Sequence, residues 1–367
     1  MIKVLIVDDS IIFRRVLQDT LKKNPHIKVV GTAENGEEAI KLIRALRPDV
    51  VILDVEMPKM NGLETLEEMK RLKLSPAVIM FSTLTAQGAK VTIEALSKGA
   101  FDFVQKPTGT KAFQESQKKI EQELVPKILA CAESMKRPAF RRVLRPTAPP
   151  PQKRPGPPTR VSKAPTVRPR VTTRMAFRPE AVAIGVSTGG PNALNEVIPR
   201  FPANFRLPVF LVQHMPPVFT KQLADRLNSK SKLTVKEAED GELVRPATVY
   251  VAPGDFHMLV KKNDRGHMIR LTQDPPVNSC RPAVDPLFES LADAYKGRVV
   301  AVVMTGMGHD GRDGAKVLKE KGAYIIAQDQ ETSVVYGMPK FVAEAGIADK
   351  ICPLDAITPT ILEVCRL

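Results

Sequence analysis

The sequence predicts an α/β protein of two domains, each a mainly parallel sheet wound on both faces by helices. Three observations carry this expectation. Short apolar runs such as Val4–Val7, Val50–Leu53 and Val299–Met304 alternate with helix-like stretches, the pattern of buried parallel strands joined by crossovers. Several of these runs end on a carboxylate, a lysine, a serine or a histidine, and ligand sites of open α/β sheets gather at that end of the strands. Between the two sets of runs lies a stretch that suits neither element: residues 136–179 hold 13 Lys and Arg, 11 of the 32 prolines and no Asp or Glu.

In the first domain, Val4-Leu5-Ile6-Val7 ends at Asp8-Asp9, and Val50-Val51-Ile52-Leu53 ends at Asp54, with Met57-Pro58-Lys59-Met60-Asn61-Gly62 close behind. A fourth strand, Ala77 to Phe81, ends at Ser82, and Phe101-Asp102-Phe103-Val104-Gln105 ends at Lys106-Pro107. Three carboxylates crowded on one rim repel unless a cation sits among them, and oxygen donors of this kind suit Mg²⁺. The constellation resembles the receiver domain of two-component response regulators over about residues 1–125. That resemblance implies a five-stranded (βα)5 domain of flavodoxin-like order. It implies that Asp54 accepts a phosphoryl group from a histidine kinase. Asp8, Asp9, Asp54 and the backbone carbonyl of Glu56 would hold Mg²⁺. Ser82 would be the switch hydroxyl, Phe103 the aromatic switch, and Lys106 the partner of the phosphoryl oxygens.

At 367 residues the chain is long enough for two domains. No apolar run reaches 18 residues, so no membrane insertion is expected, and the N-terminus enters a strand without a signal-peptide pattern. Cys131, Cys280, Cys352 and Cys365 show no CxxC spacing, which indicates neither zinc nor disulfides and suits a reducing cytoplasm. The net charge of +15 sits mostly in residues 136–179, leaving +2 for the rest. Residues 126–179 are therefore taken as a helical extension followed by a basic, proline-rich, extended linker. A basic block can also meet nucleic acid or anionic lipid. Without aromatic interleaving or a helix-turn-helix pattern, no nucleic-acid partner is expected, and the chain is expected to be a monomer.

The second domain spans residues 180–367. The run Ala181–Val186 leads into Ser187-Thr188-Gly189-Gly190-Pro191, and Asn192 to Arg200 reads as a helix. Gly185-Val186-Ser187-Thr188-Gly189 satisfies G-x-S-x-G, which exposes a serine on a sharp strand-to-helix turn; a phosphate-binding turn gives a similar string. A serine needs a base. His214 follows the strand Pro208–Gln213 on the same rim, and His257 is its competitor near another strand end. His267 falls in a polar hairpin within residues 255–273 and is expected to face solvent, His309 lies in a glycine-rich turn, and His26 lies in the first domain. Asp310 follows the strand Val299–Met304, where a carboxylate can orient an imidazole.

The order Ser187, His214, Asp310 is not that of the α/β-hydrolases. Together with Cys280-Arg281-Pro282-Ala283-Val284-Asp285 and Met304-Thr305-Gly306-Met307-Gly308-His309-Asp310-Gly311, these motifs resemble the chemotaxis protein-glutamate methylesterase (CheB) family. The resemblance implies a Ser187–His214–Asp310 triad, an oxyanion contribution from the Met307 backbone and Thr188 as a neighbour of the site. It implies methyl-accepting chemotaxis receptors as substrates, a chemotaxis histidine kinase as phosphodonor, Mg²⁺ in the receiver and no cofactor in the catalytic domain. Cys280 stands where the family pattern has histidine, and Ala283 where it has serine. Two rivals are a DNA-binding regulator working through residues 136–179 and a hydrolase of free small esters.

Overall fold

The computed structural model describes residues 1–107, 113–136 and 178–366. Its first sheet contains β1 (Ile2–Val7), β2 (Ile27–Ala33), β3 (Val50–Asp54), β4 (Ala77–Ser82) and β5 (Asp102–Gln105), in the order β2-β1-β3-β4-β5. Every pairing is parallel, so this is the flavodoxin-like arrangement, with its switch in strand order between β1 and β3. Helices cover both faces, which is why β3 and β4 are apolar at successive positions. Val4, Ile6, Ile52 and Ile79 pack with α1 (Ile11–Leu21) and α5 (Phe113–Lys136). Leu5, Leu53 and Met80 pack with α2 (Gly36–Leu46), α3 (Gly62–Arg71) and α4 (Ala86–Ser97). The first four helices open on Ser10, Asn35, Asn61 and Thr85, each side chain accepting a first-turn N–H, and Asn61 forms a capping box with Glu64. Residue 125 lies inside α5, which continues to Lys136 and packs Ile120, Leu124, Ile128 and Cys131 against the sheet. The expected linker falls, over residues 137–177, outside the described residues.

The second domain begins with β6 (Ala181–Val186), α6 (Gly190–Val197), β7 (Val209–Gln213), α7 (Phe219–Asn228), β8 (Thr234–Glu237) and β9 (Thr248–Val251). A hairpin of β10 (His257–Asn263) and β11 (Gly266–Thr272) follows, then α8 (Val284–Ala294), β12 (Val299–Val303), α9 (Arg312–Glu320), β13 (Tyr324–Gln328), α10 (Met338–Glu344), β14 (Lys350–Cys352) and α11 (Leu354–Cys365). Seven strands form one parallel sheet, β14-β13-β12-β6-β7-β9-β8, and the antiparallel hairpin stands apart from it. The chain builds one side of this sheet from β6 and then crosses to β12, so the switch in strand order opens a crevice between the C-terminal ends of β6 and β12.

Two local expectations are corrected. The helix expected over Asn192–Arg200 starts at Gly190 and gives way at Ile198–Arg200 to a 3-10 turn. Pro191 suits a first turn, whose N–H groups have no intrahelical partner, whereas Pro199 removes a donor the helix would need to continue. His267 is half-buried rather than solvent-facing: its ring stacks on Tyr295 at 3.9 Å, and Nε2 lies 3.1 Å from the Ala294 carbonyl. The hairpin lays one face on α8, which local polarity did not reveal.

The two domains touch. The α4–β5 side of the first lies against α6 and α7 of the second. Phe103 and Phe219 stack with centroids 4.5 Å apart, Asn192 Nδ2 donates to the Ala100 carbonyl at 3.4 Å, and the Ser134 hydroxyl lies 2.8 Å from the Val334 carbonyl.

Candidate active site and phosphoacceptor site

On the first sheet, the switch between β1 and β3 brings Asp8, Asp9 and Asp54 together, with ligand atoms within 4.8 Å of one another. Lys106 Nζ reaches across from the end of β5 to Asp8 Oδ2 at 2.8 Å and Asp54 Oδ2 at 2.7 Å, and its ammonium also faces the Phe13 and Phe81 rings. A Cβ at Gly62 would clash with the Asp54 carbonyl, so glycine lets α3 start hard against the strand end. Burial and the neighbouring Asp8 charge push Asp54 up to about 6, against the pull of Lys106. Burial likewise raises Asp8. Glu56 is exposed, and its N–H lies 3.4 Å from Asp54 Oδ1. Ser82 is buried at the end of β4 with its hydroxyl 3.3 Å from the Thr83 carbonyl, and Phe103 is buried against Phe219.

On the second sheet, Ser187 leaves β6 in a tight turn. Its N–H donates to the Thr305 carbonyl at 3.0 Å, and its own carbonyl accepts from Gly190 N at 2.7 Å and Gln213 Nε2 at 3.0 Å. Gly306 lies beneath it so closely that a Cβ there would sit 2.8 Å from Ser187 Cβ. His214 follows β7, with its N–H donating to the Val186 carbonyl at 3.2 Å and Nε2 lying 2.6 Å from Asp310 Oδ2. Asp310 also accepts from Val284 N at 2.6 Å, Asp285 N at 3.1 Å and Asn278 Nδ2 at 3.0 Å.

Burial alone would raise the Asp310 pKa. The hydrogen bond and charge of His214, with the Val284 and Asp285 N–H groups, outweigh burial and hold the carboxyl below its ordinary value. Burial would push His214 down, but its hydrogen bonds with Asp310 and Cys280 outweigh that and lift the imidazole above its ordinary value. The Asp310 carboxylate beside the ring can support the imidazolium that forms when His214 takes a proton. Among the described residues no hydrogen bond joins Ser187 Oγ to His214, a contact that commonly tightens only when substrate binds. The Thr188 and Met307 N–H groups have no acceptor among the described residues and remain available as donors at the rim.

His214 is thus paired with Asp310, Ser187 lies at the adjoining end of β6, and Thr188 and Met307 lie in the turns that follow β6 and β12. His257 is buried elsewhere, with Nε2 3.2 Å from the Pro275 carbonyl and Nδ1 accepting from Ala283 N at 3.3 Å. His309 packs edge-on to Phe341, and His26 lies on the surface of the first domain. Sequence reasoning missed Gln213, Asn278 and the side-chain role of Asp285. Asp285 belongs to a motif already noted, but nothing local announces that its carboxylate lies beside Asp310.

The CheB methylesterase family profile matches residues 182–361, and the response regulator receiver profile matches residues 4–118. A relative from Desulfotalea psychrophila is 44% identical over 374 residues, covering 100% of this chain and 99% of its own. The chain belongs to the CheB family. Another relative, from Geobacillus kaustophilus, is 46% identical over 366 residues, covering 99% of this chain and 98% of its own, and both relatives are named protein-glutamate methylesterase/protein-glutamine glutaminase. The crystal structure of the Thermotoga maritima CheB methylesterase catalytic domain is 49% identical, with a TM-score of 0.50, and covers 51% of this chain and 100% of that one.

Proposed function

We propose that this protein is a phosphorylation-regulated hydrolase of glutamate γ-methyl esters on methyl-accepting chemotaxis receptors, also able to deamidate receptor glutamines. The observation that carries the reading is the His214–Asp310 pair beside Ser187 at the switch point of the second sheet. His214 takes the proton of Ser187, whose Oγ attacks the ester carbonyl, while Asp310 supports the imidazolium. The N–H groups of Thr188 and Met307 receive the oxyanion, a donor of this kind contributing about 3–4 kcal/mol. Methanol leaves with the proton from His214, and water then releases the acyl-enzyme as glutamate. A glutamine amide follows the same course with ammonia as leaving group. Purified protein releasing methanol from methylated receptor, but not hydrolysing free small esters at a comparable rate, is the expected result; the reverse preference would overturn the substrate assignment.

The receiver supplies the regulation in this reading, in the cytoplasm, with a chemotaxis histidine kinase as phosphodonor. Asp54→Asn removes labelling by acetyl phosphate while leaving the hydrolytic domain folded, because an amide cannot accept the phosphoryl group; persistent labelling would mean another residue is the acceptor.

Mg²⁺ fits the rim. The donors are all oxygens, and Asp8, Asp9 and Asp54 bring their ligand atoms within 4.8 Å of one another, a density of carboxylate oxygen that the single Lys106 ammonium does not neutralise. Asp8, Asp9, Asp54 and the Glu56 carbonyl would hold the ion, which when bound offsets carboxylate and phosphoryl charge. At a hundredfold excess over Kd, Mg²⁺ stabilises the folded state by about 2.7 kcal/mol, read as a rise in Tm. Asp9→Asn weakens that rise, and an unchanged Mg²⁺ dependence in this variant would remove Asp9 from the site.

A further inference from the structure

Asp310 does not stand alone. Helix α8 has Ala283 at its N-cap and no side-chain cap, and its first N–H groups, Val284 and Asp285, donate to Asp310. Helix α9 has Gly311 at its N-cap and no side-chain cap either, and Asp285 Oδ1 accepts from Gly311 N at 2.9 Å and Gly314 N at 2.7 Å. The two helices therefore exchange caps: the carboxylate that precedes α9 closes α8, and the carboxylate in the first turn of α8 closes α9. This places two buried carboxyl groups side by side. Like charges so close disfavour double ionisation, and a shared proton would relieve the repulsion by partly neutralising Asp310. Burial raises Asp285, and so do the Asp310 charge and a direct side-chain hydrogen bond with Asp310.

We propose that Asn278 is a positioning residue for the hydrolytic site: its amide bridges Asp285 and Asp310, donating to both, and keeps Asp310 charged and aimed at His214. Asn278 Nδ2 carries two hydrogens and lies 2.9 Å from Asp285 Oδ2 and 3.0 Å from Asp310 Oδ1, one donor for each carboxylate. Asn278 and Ser279 turn the chain through left-handed backbone, φ 51° and 64°, a region asparagine tolerates better than most residues. The other titratable or charged groups facing the pair are His214 and Cys280 on the rim and Arg312 of α9, itself paired to Asp313. The inference rests on Asp310 being the partner of His214 in hydrolysis.

The test is kinetic and spectroscopic, on the full chain. Asn278→Ala lowers kcat for methanol release about thirtyfold, the class of effect expected on losing a hydrogen bond to a charged group. KM stays within about twofold, because Asn278 acts through Asp310 rather than on substrate. The His214 imidazole, followed by NMR, titrates at lower pH because the partly neutralised Asp310 supports the imidazolium less. In Asn278→Ala/Asp285→Asn, the new amide oxygen still accepts from Gly311 and Gly314, while its NH₂ restores a donor to Asp310. This double variant recovers both kcat and the His214 titration. Unchanged kcat and titration in the alanine variant, or a loss that the second substitution does not recover, would overturn the proposal. If the alanine variant does not fold, Asn278→Asp keeps shape and backbone preference but replaces donors with acceptors; kcat must then fall, more steeply at high pH. An active Asp310→Ala variant would instead overturn the assignment of Asp310 and leave a different signature from either outcome.

Discussion

Ser187→Ala lowers methanol release by about a millionfold, and His214→Ala by a similar factor, with the double variant no slower than either single one. Losses of this size and lack of additivity are found where serine and histidine act as one unit. Asp310→Asn is expected to cost less, about ten-thousandfold, since the imidazole remains but loses its preferred tautomer and its counter-charge. The Ser187 and His214 changes should alter the thermal midpoint little, because both residues sit at strand ends on the rim, whereas Asp310→Asn weakens a buried carboxylate that caps α8 and should lower it. Steady-state and single-turnover methanol release from methylated receptor would measure all four variants. A double variant far slower than Ser187→Ala would show that the two residues do not share a step.

Removing residues 1–135 raises basal turnover at least about tenfold, if the resting enzyme has its hydrolytic site open in roughly a tenth of molecules or fewer. Two contacts support this capping. Phe103, in the first sheet's β5, stacks directly on Phe219 at the start of α7. Ser134 reaches the Val334 carbonyl, and Val334 packs on Gly189 in the Ser187 turn so tightly that a Cβ on that glycine would lie 2.5 Å from Val334 Cβ. A phosphoryl group on Asp54 would add about two negative charges beside Lys106, and a response at Phe103 would act on the very ring that contacts the second domain. Phe219→Ser, which removes the stacked ring without deleting a domain, should raise unphosphorylated turnover in the same direction and shrink the gain on phosphorylation. A truncated protein no faster than the unphosphorylated full chain would exclude capping and leave direct activation by the receiver.

Much of both candidate sites was legible because most of the candidate residues end a buried strand. A parallel strand covered on both faces writes itself as an apolar run, and the first polar residue after it lands on the ligand-binding rim. Asp8, Asp54, Lys106, Ser187 and His214 obey that rule, whereas Asp310 lies farther on, at the end of the glycine-rich turn after β12. Choosing His214 over His257 was harder, since both lie near strand ends; the hairpin of β10 and β11 stands outside the main sheet and takes His257 away from the crevice. His267 was misjudged for a related reason: a polar hairpin looks exposed until the helix it rests on is known.

The two α/β domains, the strand ends where the candidate residues lie and the basic proline-rich stretch between them can be read along the chain, because apolar periodicity, turn residues and charge are local properties. Tertiary structure alone decided the rest. Asn278 is 32 residues from Asp310 in sequence, Phe103 is far from Phe219, and Ser134 is 200 residues from Val334, yet each pair is in contact. Such contacts depend on how helices dock across sheet edges and on which N–H groups are left without partners at helix ends. Hydrogen bonding and burial act through space, so a lone asparagine or phenylalanine carries no local mark of the carboxylate or ring it will meet.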